Sequence, residues 1–264
     1  MSRLDGKVAI ITGGVKGFGL ACAKLFVREG AKVVITDVDV AGASEALQEI
    51  GEDKAVFVKQ DVAVEDNWEP VFRTAIDKFE KVDILVNNAG ILAFDDAENI
   101  ELDEWHKILS VNLDGIMLGV KYGIRHMKEK GGSIINMASI AGLIGISNCT
   151  RITPQKVGCV YLLNQQPCTV RRNITQFGLI RSIRDTPTHP MVDAYPEMRA
   201  DLEKLHPVGR LGTAEEIANM VLYLASMNPP SRLAPNLWWM ADTRHNRFNA
   251  LLNLIWINKT GSNR

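Results

Sequence analysis

The sequence predicts an α/β fold: a single domain on a doubly wound parallel sheet of about seven strands, with helices on both faces. Three observations predict it. Short β-branched runs alternate with helical patterns through the first half of the chain. The runs are apolar at nearly every position, as in strands buried on both faces. A glycine-rich turn joins the first run to the first helical pattern.

In chain order, residues 7–12 (KVAIIT) form the first strand pattern, and glycines and a helical pattern over 19–29 follow it. Residues 32–36 (KVVIT) read as a second strand and 41–50 as a helix. Residues 55–59 (AVFVK) are a third strand, and 65–79 are helical. A fourth strand over 84–86 runs into Asn87-Asn88-Ala89-Gly90. Residues 102–128 read as one long helix, and 133–137 (SIINM) as a fifth strand. Strands separated by helices of this length require parallel pairing through βαβ units. Two stretches break the order: 150–184 lose clear periodicity, and 227–264 turn rich in Pro, Trp, Asn and Arg, with no pattern that reads as strand or helix.

Bulk composition excludes several classes. The chain has 264 residues, 46% hydrophobic and 23% charged, enough apolar material for a sizeable core. A net charge of −1 gives no global attraction to nucleic acid or anionic membrane. No apolar run has the length of a membrane span. A strand pattern begins almost at the N-terminus, so no leader is expected and the cytoplasm is the expected location. Cys22, Cys149, Cys159 and Cys168 lack metal-ligand spacing and read as free thiols; no metal site is expected.

Residues 12–19, Thr-Gly-Gly-Val-Lys-Gly-Phe-Gly, carry the first chemistry. Glycines between a strand and a helix let backbone approach a pyrophosphate, and the helix start offers unpaired N–H groups and partial positive charge. This is the Rossmann arrangement for a dinucleotide. Gly13, Lys16, Gly17, Phe18 and Gly19 are therefore candidate cofactor-binding residues. Asp37, at the end of the second strand, can accept hydrogen bonds from ribose hydroxyls and repel a 2′-phosphate, which points to NAD. Lys16 argues the other way, since a basic side chain in this loop can meet that phosphate.

These residues resemble the classical short-chain dehydrogenase/reductase family over residues 4–146 and 185–226. The glycine loop has the family's T-G-x-x-x-G-x-G spacing, and Asp61-Val62 looks like the pair that holds the adenine. Asn87-Asn88-Ala89-Gly90 matches the family's N-N-A-G, which adds Asn88, Ala89 and Gly90 to the cofactor groove. Asn112 and Ser139 match the catalytic asparagine and serine. Thr186-Pro187 resembles the segment beside the nicotinamide, and residues 207–212 with 215–218 the family's late loop and helix. The flavour is that of secondary-alcohol, cyclic-alcohol and hydroxysteroid dehydrogenases. The resemblance implies an NAD(H)-dependent exchange between an alcohol and a ketone, in a homo-tetramer. It also implies a tyrosine that transfers the hydroxyl proton, with a lysine four residues on lowering its pKa and binding the nicotinamide ribose. A phenol titrating near 10 needs such a neighbouring ammonium to work near neutrality.

Family spacing puts Lys156 at the lysine and Ile152 at the tyrosine slot. Isoleucine cannot exchange a proton, so the chain as written reads either as an inactive dinucleotide-binding regulator or scaffold, or as a protein written partly in the wrong reading frame. New codons can be built from the last base of one codon and the first two of the next. In that frame Trp238-Trp239-Met240-Ala241 must read Val-Asp-Gly. With permitted codons, residues 232–246 read T-G-A-E-L-V-V-D-G-G-Y-T-A-Q, which resembles the family's usual C-terminus, and a stop can follow. The same shift lets 151–157 read Y-N-A-T-K-G, with tyrosine at 152 and lysine at 156, and lets 176–184 with the residue that follows read I-R-V-N-S-V-H-P-G. The expectation is a catalytic domain over 1–246 and a non-native tail over 247–264, with parts of 150–184 and 227–246 also out of frame.

Overall fold

The computed structural model describes residues 2–91, 98–139, 174–181, 210, 212–226 and 238–240. Strands β1 (Val8–Thr12), β2 (Lys32–Asp37), β3 (Ala55–Lys59) and β4 (Ile84–Asn87) alternate with helices α1 (Gly17–Arg28), α2 (Ala43–Ile50) and α3 (Trp68–Phe79). Helices α4 (Leu102–Leu109) and α5 (Gly115–Met127) precede β5 (Gly132–Ser139). Strand β6 (Ile174–Arg181), helix α6 (Ala214–Ser226) and strand β7 (Trp238–Met240) complete the described elements.

Among the described residues the strands form one seven-stranded sheet in the order β3-β2-β1-β4-β5-β6-β7. Every neighbouring pair is parallel. From β1 the chain steps outward to β2 and β3, then returns to the other side of β1 at β4. The order thus reverses between β1 and β4, and the crevice beyond their C-terminal ends is where such a sheet takes a ligand.

Side chains alternate across each strand and build a core on each face. On one face Ala9, Ile11, Val33 and Ile35 pack with Phe26 of α1 and Val221 and Leu222 of α6. On the other, Ile10, Val34, Leu85 and Ile134 pack with Trp68 and Phe72 of α3 and Met127 of α5. Each fully buried side chain of this size contributes about 1.5–3 kcal/mol. The unbroken apolar runs of β1, β2 and β4 follow from this: both faces of those strands are covered.

The structure departs from the sequence reading in three places. The long helix expected over 102–128 is interrupted by a π-helical turn at Ser110–Asp114. Its apolar spacing continues through the turn, so periodicity does not reveal the break. Residues 174–181 and 238–240, which show no readable pattern, form β6 and β7. Trp and Met are apolar residues a sheet edge accepts, and β7 pairs Trp238, Trp239 and Met240 with Gly178, Leu179 and Ile180.

Candidate active site

The loop after β1 is shaped by glycine at its tightest points. Gly13 and Gly17 have φ of +63° and +57°, the left-handed region that favours glycine. A Cβ on Gly13 would lie 2.9 Å from the Ala89 Cα, so this loop and the loop after β4 touch backbone to backbone. A Cβ on Gly19 would strike the Gly13 carbonyl oxygen. At Gly17 a Cβ would meet nothing within 4 Å, so the outer side of the loop is open. No side chain caps the start of α1, and its first turn holds no acid. A bare helix start beside an open glycine turn fits the pyrophosphate of a dinucleotide. Phe18 lies buried in the core beneath, so its side chain anchors the helix.

Two polar side chains hold this loop to its neighbour. The Thr12 hydroxyl accepts the N–H groups of Asn88 and Ala89, each at 3.0 Å. The Asn88 amide donates to the carbonyls of Thr12 at 2.9 Å and Gly13 at 3.1 Å. Asn88 is thus a staple between the two loops at the switch point, and Gly90 follows it, exposed. Asn87, one residue earlier, donates to the Asn136 side chain across the β4–β5 pair at 2.7 Å. That bond ties the strand bearing Ser139 to the strand that leads into the staple.

At the end of β2, Asp37 is half-buried and receives the N–H groups of Val15 at 3.3 Å and Asp39 at 3.1 Å. Its carboxylate therefore links β2 to the glycine loop. Lys16 pairs with Asp39 at 2.6 Å, and Asp39 also accepts the Gly42 N–H at 3.1 Å. The hydrogen bond with Asp39 raises the Lys16 pKa above its usual value, and the same bond holds Asp39 below the usual carboxylate range. Asp61 accepts the Ala63 N–H at 2.9 Å. Val62 is buried against Gly115, and its carbonyl accepts the Trp68 indole N–H at 2.9 Å.

Asn112 sits in the π turn, 1% exposed. Its side-chain oxygen accepts the Ile91 N–H at 2.9 Å, and its amide donates to the Ile91 carbonyl at 2.8 Å. The asparagine side chain is thereby engaged with the loop after β4. Ser139 is the last residue of β5. Ile152, Lys156 and Thr186 lie outside the described residues. Sequence reasoning missed Thr12, Asp39 and Ile91. Thr12 stood in the motif, but nothing in the sequence signalled that its hydroxyl holds the second loop. Among the described residues no group of three or more His, Cys, Asp or Glu side chains could hold a metal ion. Among them, too, no helix is long and apolar enough to cross a membrane.

Comparison with known proteins agrees with this geometry. A family model described as enoyl-(acyl carrier protein) reductase matches residues 13–230. The NADP-dependent (R)-specific alcohol dehydrogenase of Lentilactobacillus kefiri is 39% identical over 235 residues, covering 85% of this chain and 91% of that protein. A 3-beta-hydroxysteroid dehydrogenase of Comamonas testosteroni is 35% identical over 237 residues, covering 85% and 91%. The 3-alpha-(or 20-beta)-hydroxysteroid dehydrogenase of Mycobacterium tuberculosis is 38% identical over 231 residues, covering 85% and 84%.

Proposed function

From the premise that this chain belongs to the classical short-chain dehydrogenase/reductase family, we propose that it is an NAD(H)-dependent oxidoreductase interconverting a secondary alcohol and a ketone. The observation that carries the proposal is the double staple of Thr12 and Asn88. It closes the two switch-point loops around an open glycine turn at an uncapped helix start.

In this reading the main chain of Gly13, Gly17, Phe18 and Gly19 holds the pyrophosphate. Lys16 lies beside it, Asp37 meets the adenosine ribose, and Asp61 and Val62 border the adenine. Asn88, Ala89 and Gly90 line the groove, and Thr186 stands by the nicotinamide. When bound, the nicotinamide supplies or accepts the hydride. Ser139 orients the substrate oxygen, and Lys156 binds the nicotinamide ribose and favours ionisation of a phenol at position 152. Asn112 contributes by positioning. Its side chain fixes the loop at Ile91, and the π turn alters the carbonyl pattern of the helix around it. The relatives are named for alcohols and hydroxysteroids, and in this reading the substrates are secondary alcohols, cyclic alcohols and hydroxysteroids. A cytoplasmic homo-tetramer is part of the same reading.

Asp37 supports NAD, although one relative is named for NADP. Steady-state efficiencies with both cofactors, over a panel of secondary alcohols and hydroxysteroids, test the proposal. Equal or better use of NADP would reject the cofactor choice, and binding without turnover in protein that carries Tyr at position 152 would reject the chemistry. A second reading rests on Ile152: with that residue in place, the chain is a dinucleotide-binding regulator or scaffold without an acid/base.

A further inference from the structure

We infer that Asp39 is a positioning residue for cofactor choice: it masks Lys16, so that the Lys16–Asp39 pair sets the preference together with Asp37. The inference rests on reading the glycine loop as the dinucleotide site.

Lys16 is the residue just before α1, with extended backbone. Its ammonium crosses from the glycine loop to the segment after β2 and meets the Asp39 carboxylate at 2.6 Å. The other Asp39 oxygen is held by the Gly42 N–H at 3.1 Å, just before α2. The Asp39 N–H in turn donates to Asp37 at 3.1 Å. One short stretch of chain therefore carries the acid that would meet the ribose and the acid that engages the nearby cation. Lys16 is strongly exposed, its side chain 77% accessible, so burial does not fix its position and the ion pair does.

The charges decide what this means for a phosphate on the ribose. With Asp37, Asp39 and Lys16 ionised, the three side chains sum to a net negative charge. Removing Asp37 alone leaves a neutral pair, with the ammonium still held by Asp39. Removing Asp39 alone frees the ammonium but leaves Asp37 to repel the phosphate. Only removing both leaves an unpaired cation beside the ribose site. The two substitutions should therefore act more than multiplicatively on recognition of a 2′-phosphate. A merely structural Asp39 would not produce that coupling.

The test is a double-mutant cycle on the full chain, read by calorimetric binding rather than by turnover. The probes are ADP, AMP and adenosine 2′,5′-bisphosphate, of which the last two differ only by the 2′-phosphate. The variants are Asp37→Ser, Asp39→Asn and both together, with thermal melting to verify folding. Asn keeps an acceptor for the Gly42 N–H while removing the charge, and Asp39→Ser repeats the arm with a different side chain. The expected result is a gain in bisphosphate affinity in the double variant more than about threefold above the product of the single effects. Adding Lys16→Met to the double variant should cancel that gain, and raising the salt should shrink it. A gain within about threefold of the product, or one that survives Lys16→Met, overturns the role of Asp39. If the unsubstituted chain binds neither NADH nor ADP, the dinucleotide reading itself has failed, which is a different outcome.

Discussion

The Asn112 side chain pairs with both backbone polar groups of Ile91, accepting its N–H at 2.9 Å and donating to its carbonyl at 2.8 Å. A carboxamide is the one small side chain that offers an acceptor and a donor in this spacing. Asn112→Ala should leave the two Ile91 groups without these partners, at about 1–3 kcal/mol for each buried group left unmade. The melting temperature should fall by several degrees, since about 1 kcal/mol corresponds to roughly 2–4 °C in a domain of this size. Asn112→Asp keeps the acceptor but turns the donor into a second oxygen facing a carbonyl, and should also destabilise. If either variant melts with the parent protein, the clamp contributes nothing.

A methyl on Gly19 has nowhere to go. It meets the Gly13 carbonyl oxygen and lies 2.8 Å from the Asn88 amide nitrogen, and the first of these is backbone. The loop must move away from α1, which also disturbs the Asn88 staple to Thr12 and Gly13. Gly19→Ala should cost about 1–3 kcal/mol of stability, as overpacking does, and weaken NADH binding by about tenfold or more. Fluorescence titration of NADH measures the second effect. Unchanged affinity in a folded variant would detach the loop from the cofactor.

What the sequence made legible was local chemistry. Apolar runs marked β1 to β5 because most positions of these strands pack into the core on one face or the other. The glycine loop was legible because Gly13 and Gly17 need a positive φ, and at Gly13, Gly14 and Gly19 a Cβ would crowd its neighbours. Asn112 was visible as a motif residue, but its partner was not, since Ile91 stands 21 residues away and only the packed fold joins them. Lys16 and Asp37 read as opposing signals for the ribose. The sequence could not show that Asp39 takes up the Lys16 ammonium, because that depends on how one exposed side chain crosses a loop. Strands β6 and β7 were illegible because neither segment has a period of its own; pairing at the sheet edge defines them.

The start of α6 gives a pH prediction. Glu216 accepts two Arg210 nitrogens at 3.0 and 2.8 Å and the Thr213 N–H at 2.8 Å, while the Thr213 hydroxyl accepts the Glu216 N–H at 3.2 Å. This is a capping box with a guanidinium clamp. The Arg210 hydrogen bonds, followed by that from Thr213, lower the Glu216 pKa from the usual 4.5 to about 2. A depressed carboxylate contributes its stability above its unfolded value and loses it as pH falls toward its folded value. The contribution should be complete above pH 4.5 and fade toward pH 2. Both side chains are half exposed, so solvent screening limits it to about 1 kcal/mol at neutral pH. Glu216→Gln should melt a few degrees below the parent at pH 7, and the gap should close in acid. A gap that stays constant to low pH would mean the charge plays no part.

The tyrosine slot leads to a prediction about the polypeptide itself. With Ile152 as written, dinucleotide binding should persist without useful turnover, since loss of a general acid/base removes about 10²–10⁴ in rate. On the shifted-frame reading, Ile152→Tyr alone should not restore full activity, because the residues around it would still differ from the natural ones. The helix that should follow the slot contains Pro167, Arg171 and Arg172, and an interior proline costs about 3 kcal/mol. Trp238 and Trp239 fall in β7, the place where the shifted frame reads the β-prone L-V-V-D-G. The family match stops at residue 230, short of that strand. A natural sequence normally keeps local preference and fold in agreement, and Pro167, Arg171 and Arg172 break that agreement in the expected helix. Protein from its native source should therefore carry Tyr at 152 and end near residue 246 in Y-T-A-Q. Intact mass and peptide mapping decide the matter. A peptide containing Trp238-Trp239-Met240, or full activity in the chain as written, would sink the prediction; a C-terminal peptide ending in Y-T-A-Q would establish the shifted frame.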